Sequence, residues 1–96
     1  MTIVLDSLDG TPSGTFDLHG YRASEAAAAF EHYLTQQRKR SPGALVHIIT
    51  GKGRNSPHGP VLKSVIRKAI KDDEGRRIAA WSKDEDDGGF LLRLTR

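Results

Sequence analysis

The sequence contains no cysteine, which excludes disulfides, thiolate metal sites and cysteine nucleophiles. It also has no long hydrophobic run. No apolar stretch approaches the ~20 residues needed to cross a bilayer. The opening residues MTIVLDSLDG carry neither the basic region nor the apolar segment of a secretory signal. A cytoplasmic protein without a membrane partner is expected. Acid is missing from one long stretch. Residues 38–71 carry nine Arg and Lys and no Asp or Glu, against one base and five acids in residues 1–37, and five bases and seven acids in residues 72–96. The net charge of +3 hides this polarity. A solvated surface ordinarily mixes both signs, and cations without counter-charges repel one another unless an anionic partner offsets them. The pattern points to a polyanion.

The nucleotide-binding loops are missing too. HIITGKGRNSPHGPVLK, residues 47–63, has the outline of a strand, a glycine-rich basic loop and a helix, which is a phosphate-holding arrangement. Its glycines at 51, 53 and 59 fit neither G-x-x-x-x-G-K-[ST] nor G-x-G-x-x-G, because Ser56 occupies the decisive position of the latter. A base pocket would consume most of a 96-residue chain. A loop that grips one phosphodiester needs no such pocket: Gly51 and Gly53 permit a nest of backbone N–H groups, and Lys52 and Arg54 add charge. A tight strand-to-helix turn is the plainer reading of the same glycines.

What is present describes one small domain. Residues 1–14, rich in Gly, Ser and Thr, read as a flexible lead-in, with TIVL as a candidate edge strand. The domain proper is expected over residues 15–96. TFDLHG alternates as a strand and ends at Gly20. ASEAAAAFEHYLTQQRKR is a helix by propensity, with Ala26, Ala27, Phe30, Tyr33 and Leu34 on the stripe facing the sheet. Arg38, Lys39 and Arg40 complement its dipole, and Pro42-Gly43 ends it. ALVHIIT is a buried strand. Val61, Leu62, Val65, Ile66, Ala69 and Ile70 mark a second amphipathic helix with Lys63, Arg67, Lys68 and Lys71 on its wet side and Gly75 as its C′ residue. RRIAAWS, ending near Trp81, and FLLRLTR read as strands joined by the acidic turn KDEDDGG. The order β-α-β-α-β-β predicts an α/β (α+β) two-layer sandwich, a mixed four-stranded sheet with both helices on one face.

FDLHG places Asp17 and His19 on the same side of a strand, with Phe16 and Leu18 toward the core. Ligands collect at the carboxyl ends of parallel strands. The spacing therefore predicts that this acid–imidazole pair and the glycine loop meet at one sheet edge.

FDLHG, a following helix with SEA, then IITGKGRNSPHGPVLK and a terminal GGFLLRL together resemble the small MutS-related (Smr) domain, from Phe16 to about Leu94. The family's usual strand motif is L-D-L-H-G, so Phe16 is an apolar swap; its usual Gly-Gly-x-Gly is Gly88-Gly89-Phe90-Leu91 here. The resemblance implies a fold similar to the C-terminal domain of translation initiation factor three. It also implies nucleic-acid binding and, in several members, endonuclease activity, DNA nicking or RNA cleavage. The family's acid and histidine correspond to Asp17 and His19, and its loop to Thr50, Gly51, Lys52 and Gly53. Asp17 is then expected to orient or deprotonate a nucleophile or to hold a cation, and His19 to act as general base or acid. Arg54, His58, Lys63 and Arg67 join the loop as phosphate-binding candidates. One Asp and one His are too few ligands for zinc; Mg2+ or Mn2+ shared with a phosphate stays open. His47, mid-strand, reads as a packed or sheet-face histidine, and His32 as solvated. A low-specificity endonuclease acting as a monomer on DNA or RNA is the leading expectation. A non-catalytic nucleic-acid or ribosome-binding module is the alternative.

Overall fold

The computed structural model describes residues 8, 10–51, 59–84 and 88–96. The elements run β1 (Gly14–Asp17), α1 (Ala23–Arg40), β2 (Leu45–Ile49), α2 (Gly59–Asp72), β3 (Ile78–Lys83) and β4 (Gly89–Leu94), the order expected from the hydrophobic periods. Most of the stretch read as a lead-in, and its TIVL segment, lies outside the described residues. Ser13 already bonds the Leu45 carbonyl through its amide at 2.8 Å. Helix α1 starts with Glu25 in its first turn and ends with Arg38, Lys39 and Arg40 in its last, so charge opposes the helix dipole at both ends.

The four strands form one sheet in the order β1-β2-β4-β3. β1 pairs with β2 in parallel, whereas β4 is antiparallel to both of its neighbours. β4, last in sequence, thus sits in the sheet centre. Its residues Phe90, Leu92 and Leu94 are fully or almost fully buried, and a strand this apolar is best placed between two others. The α2 crossover leaves a gap beside β2, and the β3–β4 hairpin fills it.

Register sorts the side chains. Phe16 lies opposite Ile48, Ile48 opposite Phe90, and Val46 opposite Leu92. That face forms one core with Ala26, Phe30 and Leu34 of α1 and Leu62, Ile66 and Ile70 of α2, so both helices lie on one side. Each large apolar side chain buried there contributes roughly 1.5–3 kcal/mol. The opposite face carries Thr15 and Asp17 of β1, His47 and Ile49 of β2, and Leu91 and Arg93 of β4.

Two local expectations shift. Gly75 stands beyond the end of α2 rather than at its cap: its amide donates to the Ile78 carbonyl at 2.9 Å and shapes the turn into β3. β3 continues past Trp81 to Lys83, and the indole packs edge-on against Phe90 with ring centroids 5.9 Å apart.

The β2–β4 pairing constrains one residue severely. A Cβ added at Gly89 would lie 1.9 Å from the Ile48 carbonyl oxygen and 3.0 Å from the Ile49 Cα. Both neighbours are backbone, so relief requires the strands to part. Gly89→Ala is expected to destabilise the fold by roughly 3 kcal/mol or more. Val61→Ala, at a half-exposed position, should stay within about 0.5 kcal/mol. Urea unfolding of the two variants against wild type measures the difference.

Candidate functional site

The first strand ends by turning one residue inward. Leu18 is completely buried, and its amide donates to the Ile49 carbonyl at 2.7 Å, extending the parallel pairing past Asp17. Asp17 and His19 are left flanking a buried leucine, both facing solvent. Asp17 Oδ1 accepts from the His19 amide at 3.0 Å and lies 2.8 Å from His19 Nδ1. An ionised carboxylate only accepts, so Nδ1 carries the proton and a neutral His19 ring keeps its lone pair on Nε2. The His19 side chain is 72% exposed, which leaves that nitrogen open to a ligand. Slight burial pushes the Asp17 carboxyl upward, but the bonds from the His19 ring and amide outweigh it and hold Asp17 below its ordinary range. Asp17 is therefore ionised at neutral pH.

The second segment leaves the carboxyl end of β2 beside this pair. The amides of Thr50 and Gly51 both donate to the Gly88 carbonyl, at 2.8 and 2.9 Å. Gly51 adopts φ 86°, a left-handed conformation that costs other residues about 1–2 kcal/mol. A Cβ built on it would stand 3.5 Å from the His19 Cβ. The strand tip and the first loop glycine thus lie side by side, as the spacing predicts.

Two expectations need revision. Thr50, expected to bind phosphate, is buried, and its hydroxyl is turned toward the Gly51 and Gly88 carbonyls at 3.3 and 3.4 Å. The Gly51 amide is likewise occupied by Gly88 and does not point outward as part of a nest. Lys52, Gly53, Arg54 and His58 lie outside the described residues. Lys63 and Arg67 stand one turn apart on α2, Lys63 partly buried and Arg67 exposed. Among the described residues, no group of three His, Asp or Glu side chains that could hold a metal ion occurs.

The sequence reading missed a second acid–imidazole pair. His47 does lie on the sheet face, but its Nε2 stands 2.9 Å from Asp84 Oδ2, with the two side chains only 27% and 12% exposed. Asp84 Oδ1 accepts the Gly88 amide at 2.8 Å, and the Asp84 amide donates to the Gly89 carbonyl at 3.0 Å. Asp84 therefore ties the hairpin end to β2 and fixes the carbonyl that holds Thr50 and Gly51. Reading KDEDDGG as an acidic turn concealed this. The available signal was Asp84 four residues before a Gly-Gly pair.

Comparison with known proteins falls on this same frame. The model of the Smr domain family matches residues 16–90, from the residue before Asp17 to the strand that begins at Gly89. The chain belongs to the Smr domain family. It is also 35% identical over 60 residues to an uncharacterized protein of Treponema pallidum (strain Nichols). That alignment takes in 62% of this chain and 29% of the relative, so the chain spans less than a third of that protein. No helix of this Smr domain, among the described residues, is long and apolar enough to cross a membrane.

Burial pushes the Asp84 carboxyl up, but the bonds from His47 and from the Gly88 and Gly89 amides prevail and lower it below 3.8. A carboxyl lowered on folding contributes stability that is complete above the unfolded value and vanishes as pH falls through the folded one. Asp84→Asn should therefore cost about 1–3 kcal/mol near neutral pH. The gap from wild type should close below about pH 4. Urea midpoints measured across that range check the sign.

Proposed function

We propose that this Smr domain binds nucleic acid and cleaves it as an endonuclease of low sequence specificity, nicking DNA or cutting RNA. One observation carries the reading: an ionised Asp17 directs the accessible His19 ring, and the His19 Cβ lies beside Gly51, where the glycine loop begins. The family membership supports it, since Smr domains commonly bind nucleic acid and some are nucleases.

Phosphodiester cleavage needs an aligned nucleophile, charge stabilisation on the phosphoryl oxygens and a protonated leaving group. His19 Nε2 takes the proton of a water or a ribose 2′-hydroxyl as its oxygen bonds to phosphorus. The bond to the leaving oxygen breaks, and that oxygen acquires its proton from water. Asp17 holds the ring in the tautomer this step requires and stabilises the imidazolium that results. Lys52, Gly53, Arg54 and His58 supply cations and amides to the phosphate, with Lys63 and Arg67 gripping the strand further along α2. Thr50 and Gly51 act indirectly, by setting where that loop begins. Asp17 Oδ2 is the carboxylate oxygen free of the His19 bonds. A Mg2+ or Mn2+ ion shared with the phosphate would meet the chain there and neutralise charge on the phosphoryl oxygens.

Supercoiled plasmid and a structured RNA, each with Mg2+, Mn2+ or chelator, provide the test. His19→Ala is expected to slow cleavage by on the order of 10²–10⁴-fold, and Asp17→Asn to slow it as well, with both variants still binding. Wild type that cuts neither substrate under any of these conditions ends the nuclease reading. The non-catalytic binding module would then stand or fall on salt-sensitive binding.

A further inference from the structure

The edge of the sheet opposite Asp17 and His19 gathers a second set of cations. Helix α1 begins four residues after His19 and runs 18 residues to Arg40. Its last turn therefore lies beside the amino end of β2 and the carboxyl end of β4, where the Gly43 amide donates to the Thr95 carbonyl at 3.2 Å. A shallow cavity of about 350 Å³ opens there, lined by Thr35, Arg38, Lys39, Pro42, Arg77 and Arg96. No acidic side chain lines it. An adjoining hollow of about 630 Å³ shares Thr35, Arg38 and Arg77 and adds Arg76 and the acid Glu31.

The cations are not equivalent. Arg77 is a strut: it bonds Asp73 Oδ2 at 2.9 Å and Oδ1 at 3.2 Å, Glu31 Oε1 at 3.3 Å and Thr35 Oγ1 at 2.9 Å, so its charge is already answered. Among the described residues, no Asp or Glu side chain pairs with Arg38, Lys39 or Arg96. Arg38 Nη2 donates to the main-chain oxygen of Arg96 at 3.3 Å. Arg38 Nε is buried and has no hydrogen-bond partner. Buried donors are nearly always satisfied, and a guanidinium edge with a free N–H is shaped for an oxyanion. Thr35 Oγ1 accepts from Arg77 and keeps its own hydroxyl proton to donate.

We propose that this corner is a second phosphate-binding site, a Thr35–Arg38–Lys39–Arg96 cradle stiffened by Arg77. The cavity is too open to enclose a small molecule, which favours a phosphate carried by a polymer. Resting on the nucleic-acid reading, that polymer is the same strand or duplex that reaches His19. The two sites stand roughly 20–25 Å apart, a five-residue strand with its flanks at ~3.3 Å per residue. That separation corresponds to about six or seven base pairs at ~3.4 Å each.

The test compares wild type with Arg38→Gln/Lys39→Gln/Arg96→Gln and with the charge-retaining Arg38→Lys/Arg96→Lys. Binding to a labelled duplex of about 20 base pairs is followed against salt, and inorganic phosphate is titrated while the Arg38 Nε–H resonance is observed. Each phosphate contact contributes about 0.9 to the salt slope. The triple variant should lower the slope by about 1 to 3 and the charge-retaining variant should restore it; phosphate should shift the Arg38 signal. A phosphate shift with an unchanged slope keeps the site but assigns it a free oxyanion. No phosphate shift together with an unchanged slope overturns the proposal, even where wild type binds the duplex well. Wild type that binds no duplex removes the nucleic-acid reading, and the phosphate titration alone then decides this site.

Discussion

The approach of Gly89 to the Ile48 carbonyl organises this domain. β4 can lie against β2 only because nothing projects from that glycine. The residue before it places a carbonyl where the amides of Thr50 and Gly51 both reach it. One contact therefore closes the middle of the sheet and sets the departure angle of the basic loop. Asp84 reinforces it from the hairpin side through the Gly88 amide and His47. The candidate site inherits its shape from a strand junction in which none of its own chemistry takes part.

The two acid–imidazole pairs separate along physical lines. Both are about 2.8–2.9 Å apart, and in both the hydrogen bonds that the aspartate receives together outweigh the burial that would raise it. They differ in access. His47 and Asp84 are largely enclosed, and Asp84 spends both its oxygens on holding chain segments, as suits a structural tie. Asp17 and His19 face solvent, where an ion pair contributes little stability. The exposed pair gives the fold little, and it stands at the carboxyl end of β1 beside the parallel β2.

Much of this was legible from residues alone. The bounds of α1 follow from an alanine-rich run without glycine or proline, and β1 and β2 from short alternating or β-branched runs. The convergence of His19 with Gly51 follows from strand polarity. The central position of β4 did not, because hairpin partners alone leave open which of the two joins the rest of the sheet. Asp84 was hidden in a run of acids that reads as solvated surface. Thr50 and Gly51 resemble ligand-binding residues by type, yet their polar groups serve the Gly88 carbonyl, a long-range partner that no local pattern announces. The Arg38 corner was noticed only as favourable charge at a helix end, since Arg77 and Arg96 reach it from distant parts of the chain.

The aromatic pairs lie toward opposite edges of the sheet. Phe16 stacks on Tyr33 at 4.7 Å and meets Tyr21 edge-on at 6.2 Å, while the single tryptophan, Trp81, leans on Phe90 in the hairpin. Tryptophan emission will therefore follow the dissolution of the hairpin edge. Fraying of the outermost strand, the one bearing Asp17, will leave that emission almost unchanged and be seen only through tyrosine.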